Sequence, residues 1–282
     1  MIFRPPDRTA LVEFIGSGSS FHVALVREGV DTLICKRPRG ARAANADMLA
    51  GLERERLALQ LASHPSLPSV IRSGTDADGA FLLQTRVVGT SIRELVRSWQ
   101  AGGQRCSSAF LHHVVCSSLC LLAELHECPG AGEATVLVHG DISPDNVLVD
   151  EAGDAHFIDF GHARWRGMPS ALAHDARGTL PYLAPEVARA EVLPTQASDV
   201  YALAATMLFV CTSARICDAV DEAPMLLEVA ERGVRVDMLS GCDDLSAGEK
   251  SALARALSFD AAARTQTARA FLNDFEGRAE HR

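Results

Sequence analysis

The chain has 282 residues, 48% of them hydrophobic, and a formal net charge of −9. That length and apolar content suit one globular domain or two closely packed lobes around a sizeable core. The acidic balance speaks against a nucleic-acid partner, no apolar run is read as a membrane span, and the start, Met1-Ile2-Phe3-Arg4-Pro5-Pro6-Asp7-Arg8, lacks a signal-peptide core.

The eight cysteines show no Cys-x-x-Cys spacing, and Cys116 and Cys120 fall four apart on an expected helix, so free thiols in a reducing cytoplasm are expected rather than zinc or disulfides. Of the 27 basic residues only Lys36 and Lys250 are lysine, which makes the position of Lys36 informative.

Residues 1–9 read as a tail. Three strands follow, Ala10–Ile15, Phe21–Arg27 and Thr32–Lys36, joined by the turns Gly16-Ser17-Gly18-Ser19-Ser20 and Glu28-Gly29-Val30-Asp31. Glycine lets backbone N–H groups approach phosphate oxygens closely, which is the use of such a turn in a nucleotide enzyme. A helix is expected over 45–63, with Leu49, Leu52, Leu57, Leu59 and Leu61 supplying much of its apolar surface and His64-Pro65 stopping it. Glu53 and Glu55 both lie on it. Val70–Arg72 and Phe81–Val88 read as strands around Ser73–Gly79, the second running into Gly89-Thr90-Ser91. Ser107–Glu127 is a long apolar helix that buries Phe110, Leu111, Val114, Val115, Leu119, Leu122 and Leu125, with His112, His113 and His126 on its polar face or in packing. Cys128–Val136 reads as a surface insertion.

The chain is organised around residues 138–161. Two apolar runs, Val147–Val149 and Ala155–Ile158, flank Asp150-Glu151-Ala152-Gly153-Asp154, which reads as a hairpin turn. A turn symmetric about Ala152 and Gly153 would set Asn146 opposite Asp159, with their side chains about 5 Å apart. An amide oxygen and a carboxylate that close suit a hard ion such as Mg²⁺. Asp141, with Pro144 stiffening the loop between it and Asn146, can point a second carboxylate at the same place. Further on, a loop ends in Gly178-Thr179-Leu180-Pro181-Tyr182-Leu183-Ala184-Pro185-Glu186. A very apolar helix then opens at Ser198, where Ser198 or Asp199 can cap its free N–H groups.

His139-Gly140-Asp141-Ile142-Ser143-Pro144-Asp145-Asn146 and Asp159-Phe160-Gly161 resemble the His-Arg-Asp-x-x-x-x-Asn and Asp-Phe-Gly loops of protein kinases. Gly178–Glu186 resembles the close of a serine/threonine kinase activation segment, and Asp260–Arg264 the late arginine that pairs with its glutamate, here Glu186. The resemblance runs from about residue 10 to 275 with every landmark in order. It is to the protein kinase superfamily, in a bacterial serine/threonine style with a His-Gly-Asp loop.

The fold implied is α+β and two-lobed. An N-lobe over 10–85 would hold an antiparallel sheet plus one helix, 86–89 would be the hinge, 90–277 a mainly helical C-lobe, and 278–282 a tail. By the same resemblance Asp141 is the catalytic base, while Asn146 and Asp159 hold Mg²⁺ on the phosphates of ATP. Lys36 grips the α- and β-phosphates, and Glu55, counted back from His-Pro, is its partner. Gly16, Gly18 and Val23 form the glycine-rich loop, with Phe21 where a third glycine would stand. Ile34 replaces the usual alanine above adenine, Gln84 falls at the gatekeeper position, backbone groups of Thr85 and Val87 bind adenine, and Leu148 completes the ATP-binding set. Thr179 bonds the catalytic Asp and shapes the floor under a serine or threonine, and Asp199 braces the catalytic loop.

Three further positions depart from the family pattern. Gly140 replaces the arginine that receives an activation-loop phosphate, and Asp175 sits where a phosphorylatable threonine is common. Ser143, counted with the catalytic set, replaces a lysine that helps hold the γ-phosphate. The expected function is ATP- and Mg²⁺-dependent phosphorylation of protein serine or threonine hydroxyls in the cytoplasm, with an unidentified protein as substrate and self-association left open. Phe21, Ile34 and Ser143 suggest one rival, a pseudokinase or nucleotide-binding interaction module. The other is a small-molecule kinase of the aminoglycoside or choline kind, which the His-Gly-Asp loop allows and Gly178–Glu186 disfavours.

Overall fold

The computed structural model describes residues 3–17, 20–39, 46–128, 136–173 and 178–277. Strands β1 (Ala10–Ser17), β2 (Phe21–Glu28) and β3 (Asp31–Pro38) precede helix α1 (Ala46–Leu61), and β4 (Val70–Asp76) and β5 (Gly79–Thr85) complete an antiparallel sheet in the order β1-β2-β3-β5-β4. The turn between β4 and β5 is tighter than expected, and β5 stops at Thr85 instead of running to Val88. Asp76 Oδ1 accepts the Asp78 N–H at 2.9 Å, Gly79 takes φ +102°, and the Arg37 guanidinium forks onto both Asp76 oxygens at 3.0 and 2.6 Å.

Alternation in the strands divides the sheet into two faces. Ala24, Val26, Leu33, Cys35, Phe81 and Leu83 pack together on one face, with Phe3 against them. The other face carries Lys36 and Gln84 beside the buried Leu25 and Leu82. In register, Val23 lies opposite Lys36 and Ile34 lies opposite Gln84, and Lys36 and Ile34 are two apart on β3. Val23, Ile34, Lys36 and Gln84 therefore share the face on which Lys36 meets α1.

The packed face of α1 differs from a leucine stripe. Leu52 and Leu59 are buried, but so are Gly51, Arg54, Glu55 and Ala58, and Leu49 in the first turn is 43% exposed. Two charged residues take core positions that apolar periodicity assigns to leucine.

Residues 86–89 join β5 to β6 (Thr90–Ser91) and α2 (Ile92–Ala101). The sequence reading missed α2, although Ser91 and Glu94 form a capping box, a Ser-x-x-Glu signature legible in the chain. Helix α3 (Ser108–His126) is long and apolar enough to cross a membrane by length and composition, although the sequence reads as holding no apolar run of that length. Here it is a central helix: Leu111, Val114, Val115, Leu119, Leu122 and Leu125 are buried against the other helices. The insertion expected after Cys128 lies mostly outside the described residues.

Short strands β7 (Leu137–Val138), β8 (Val147–Val149), β9 (Ala155–Phe157) and β10 (Arg164–Trp165) follow, β7 pairing with β10 and β8 lying between β6 and β9. Two 3-10 turns, Ser170–Leu172 and Leu180–Tyr182, lead to α4 (Pro185–Ala188) and α5 (Gln196–Thr212). The remaining helices are α6 (Glu222–Arg232), α7 (Ala247–Ala256) and α8 (Ala268–Phe275). The cap of α5 is Thr195, which forms a capping box with Ser198, so Asp199 is released for another use. All eight cysteines are free thiols, five of them buried. The expected two-lobed α+β architecture holds: a sheet with one packed helix, then a mainly helical part.

Candidate active site

The β8–β9 hairpin is one residue out of the expected register. Val147 pairs with Phe157, Leu148 with His156 and Val149 with Ala155, so Asn146 faces Ile158, whose N–H donates to the Asn146 carbonyl at 3.0 Å. The loop takes all of Asp150–Asp154 because Asp150 Oδ1 accepts the N–H groups of both Ala152 and Asp154 at 2.9 Å, and Gly153 adopts φ +92°. A slip of one would turn Asp159 to the wrong face of a regular strand. Asp159 instead leaves the strand with φ +67°, in the left-handed region rarely taken by residues other than glycine, and its Oδ1 comes 3.2 Å from Lys36 Nζ.

Asp141 is held from several sides. The Thr179 N–H and hydroxyl donate to its Oδ1 at 2.7 and 2.8 Å, and the Asn146 amide donates to its Oδ2 and to its carbonyl, each at 2.9 Å. Thr179 approaches this closely because Gly178 lacks a side chain. A Cβ there would stand 2.7 Å from Gly140 O and 2.8 Å from Asp141 Oδ1. Burial pushes the Asp141 carboxyl above the ordinary carboxylate range; the Asp159 charge adds to this, while His162 and the Thr179 bonds oppose it.

The loop around Asp141 hangs on one buried carboxylate. Asp199 accepts the His139 N–H at 2.7 Å, the Gly140 N–H at 2.9 Å and His126 Nε2 at 3.0 Å. Burial lowers the His139 pKa, and its Nδ1 accepts the Asp141 N–H while Nε2 faces the Ile158 carbonyl. Those partners assign a neutral ring carrying its proton on Nε2.

Lys36 donates to both oxygens of Glu55, at 2.7 and 2.9 Å. Burial alone would depress the lysine, but the carboxylates of Asp159 and Glu55 outweigh it and hold Lys36 up at about 12. Burial pushes the Glu55 carboxyl up, with Lys36 opposing, and the two short bonds keep the pair ionised. Gln84 is buried and adds a side-chain hydrogen bond to Glu55.

Hinge positions are narrower in use than expected. The Thr85 N–H already donates to Ser69 O at 2.9 Å, and its hydroxyl accepts the Ser69 N–H at 2.8 Å, so the N–H is already spent within the protein. Val87 makes no backbone hydrogen bond among the described residues. Gly89 permits a close crossing, since a Cβ there would lie 2.9 Å from Val149 O and 3.2 Å from Leu148 Cβ. Gly16 ends up opposite Val23 on the β1–β2 ladder. Gly18 and Asp175 lie outside the described residues.

Ser143 does not reach the cleft: its side chain is 0% exposed and its hydroxyl has no partner among the described residues. Asp145, unassigned from sequence, accepts Arg93 Nε from α2 at 2.8 and 2.7 Å. Arg54 was also missed, because nothing in an apolar helix pattern marks a buried arginine. The segment from Gly178 ends in an anchor, where Arg264 donates to both Glu186 oxygens at 2.7 and 2.9 Å, both side chains being buried.

The donor set suits Mg²⁺. With its NH₂ spent on Asp141, the Asn146 amide oxygen is turned away from that carboxylate, and Asp159 offers a second hard oxygen. No group of three or more His, Cys, Asp or Glu among the described residues could cage a metal by itself. Two protein oxygens completed by phosphates and water are how Mg²⁺ is ordinarily held.

The protein kinase domain family matches residues 9–274. A probable serine/threonine-protein kinase of Corynebacterium efficiens is 30% identical over 72% of this chain and 30% of its own. Serine/threonine-protein kinase PkaB of Streptomyces coelicolor is 30% identical over 69% of this chain and 46% of its own. PrkC of Bacillus subtilis is 25% identical over 76% of this chain and 31% of its own. The matches thus span less than half the length of each of these relatives.

Proposed function

This chain belongs to the protein kinase family, and on that premise we propose that it transfers the γ-phosphoryl group of ATP to serine or threonine hydroxyls of a protein. Mg²⁺, when bound, neutralises charge on the phosphates, with Asn146 and Asp159 as its protein ligands. Lys36, kept charged by Glu55 and Asp159, supplies a fixed cation for the α- and β-phosphates. Asp141 takes the proton of the attacking hydroxyl: Oδ1 is filled by Thr179, while Oδ2 holds only the Asn146 amide and keeps a lone pair for an incoming O–H. Catalysis of this kind is positioning plus charge stabilisation, and the bonds to Asp141 and Lys36 are the means of positioning.

One observation carries the reading toward protein substrates. The Gly178–Glu186 segment bonds the base through Thr179 at one end and the connection between α7 and α8 through Arg264 at the other. A surface built there borders Asp141 and can seat a chain presenting a hydroxyl. The pseudokinase reading draws on Ser143, which leaves the cleft without the charge of the lysine it replaces.

The test is labelled γ-phosphate transfer from ATP with Mg²⁺ to proteins of a lysate, beside an Asp159→Ala control. Label in protein that needs Mg²⁺ and disappears in the control is expected. ATP binding with no labelled protein would favour the pseudokinase reading, and label in metabolites alone the small-molecule one.

A further inference from the structure

Arg54 is a buried charge that Asp47 favours without pairing with it, while burial and Arg164 oppose it. The residue is 4% exposed, and among the described residues no carboxylate forms an ion pair with it. Its Nε donates to the carbonyl of Gly161 at 2.7 Å and its Nη1 to the carbonyl of Leu172 at 2.8 Å. The first carbonyl ends the loop that presents Asp159. The second ends the 3-10 turn in the segment that leads to Thr179. The next residue along α1 is Glu55, which orients Lys36. One turn earlier, Gly51 lies beside the same carbonyl, where a Cβ would make only ordinary contacts, 3.8 Å from Gly161 O and 3.5 Å from the tip of the Phe21 ring.

Desolvating a guanidinium is costly, and neutral carbonyls compensate it less than a carboxylate does. Filling space on an apolar helix face does not call for a charge. What arginine provides is a rigid planar fork whose donors point in fixed directions, so that two carbonyls are specified together.

We propose that Arg54 is a positioning residue that ties α1 to the Asp159 loop and to the activation segment, so that the pose of the metal-binding carboxylate depends on the helix that aligns Lys36. Its role in turnover rests on the phosphotransfer reading above; its role in posing the loop does not. Lysine gathers its donors at one point instead of spreading them over a planar fork, so it would hold the two carbonyls less firmly, and glutamine at position 54 is too short to reach both.

The experiment compares the full-length wild type with Arg54→Lys, Arg54→Gln and Arg56→Gln. Arg56 lies on the same helix but pairs with Glu53 at the surface, which makes it a helix control. Amide hydrogen exchange without nucleotide should quicken over residues 161–172 in Arg54→Gln, less so in Arg54→Lys, and stay unchanged over residues 196–212. With ADP present, the Mg²⁺ midpoint of thermal stabilisation should rise about tenfold in Arg54→Gln, the size of effect seen when a metal ligand loses its supporting partner. Stabilisation by nucleotide without Mg²⁺ should be kept in all variants, and kcat should fall with little change in the KM for ATP. Arg56→Gln should match the wild type throughout.

Wild-type exchange over 161–172 in both Arg54 variants would overturn the proposal. So would a loss spread evenly over the whole protein, since that marks a purely structural arginine. If Arg54→Gln does not fold, Arg54→Lys decides on the same readings. If the wild type labels no protein, the proposed activity fails while the exchange and Mg²⁺ readings still decide the role of Arg54.

Discussion

Thr179 gives both its backbone N–H and its hydroxyl to a single oxygen of Asp141, at 2.7 and 2.8 Å. The contact spans 38 residues of chain and joins the close of the activation segment to the base. Asp141→Asn would remove the base and also turn an NH₂ group toward donors from Thr179 or Asn146. Phosphotransfer should fall by about 10²–10⁴, with nucleotide binding nearly intact in a thermal-shift titration. Thr179→Ala should lower transfer to protein more than background ATP hydrolysis, and Thr179→Ser should restore most of it. Unchanged protein labelling by Asp141→Asn would mean the base has been misassigned.

Lys36→Met should act on stability as well as on nucleotide binding. Glu55 is 0% exposed, and without its ammonium partner it becomes an uncompensated buried charge. Breaking such a pair costs about 3–5 kcal/mol, readable as a lower urea midpoint. Adding Glu55→Gln to Lys36→Met should recover part of that stability and none of the ATP binding. A single mutant as stable as the wild type would contradict an ionised pair.

The acid limb of kcat/KM reports Asp141. Only its ionised form accepts a proton, and burial, with the Asp159 charge behind it, raises its pKa. The limb should therefore lie above the ~3.9 of an unperturbed aspartate, with the rate falling as pH drops through it. Thr179→Ala removes a donor that favours the charged form, so it should move the limb further up. A limb at or below the unperturbed value, or one that Thr179→Ala leaves in place, would tie the pH dependence to another group.

Gly140 adopts φ +78°, and a Cβ there would sit 2.4 Å from the carbonyl of His162. Gly140→Ala should cost at least the ~1–3 kcal/mol of a strained backbone position, and Gly140→Arg cannot rebuild a phosphate anchor without moving residue 162. Phosphatase-treated enzyme should consequently keep its rate on a fixed substrate. A large drop, restored by autophosphorylation within residues 162–183, would show that another basic residue receives a phosphate.

Sequence by itself determined which residues can meet and in what order. The alternation of β3 puts Ile34 and Lys36 on one face whatever else happens, because the side-chain period of a strand is two, while Val23 joins them through the β2–β3 register. The Ser-x-x-Glu box at Ser91 likewise starts α2 from local hydrogen bonding alone, although it went unread.

Only the tertiary structure decided the contacts between distant segments. The hairpin register depended on the Asp150 side chain closing a five-residue loop, which periodicity does not encode, and Asp159 reaches Lys36 through a left-handed backbone that no propensity favours. Asp199 reads in the sequence as a possible helix cap and, by the family resemblance, as the brace of the catalytic loop; Thr195 takes the cap and leaves the carboxylate to His139 and Gly140. Arg54 carries no mark in the apolar pattern of its helix. Its partners are carbonyls 107 and 118 residues away, and a backbone carbonyl leaves no mark in the sequence because every residue carries one.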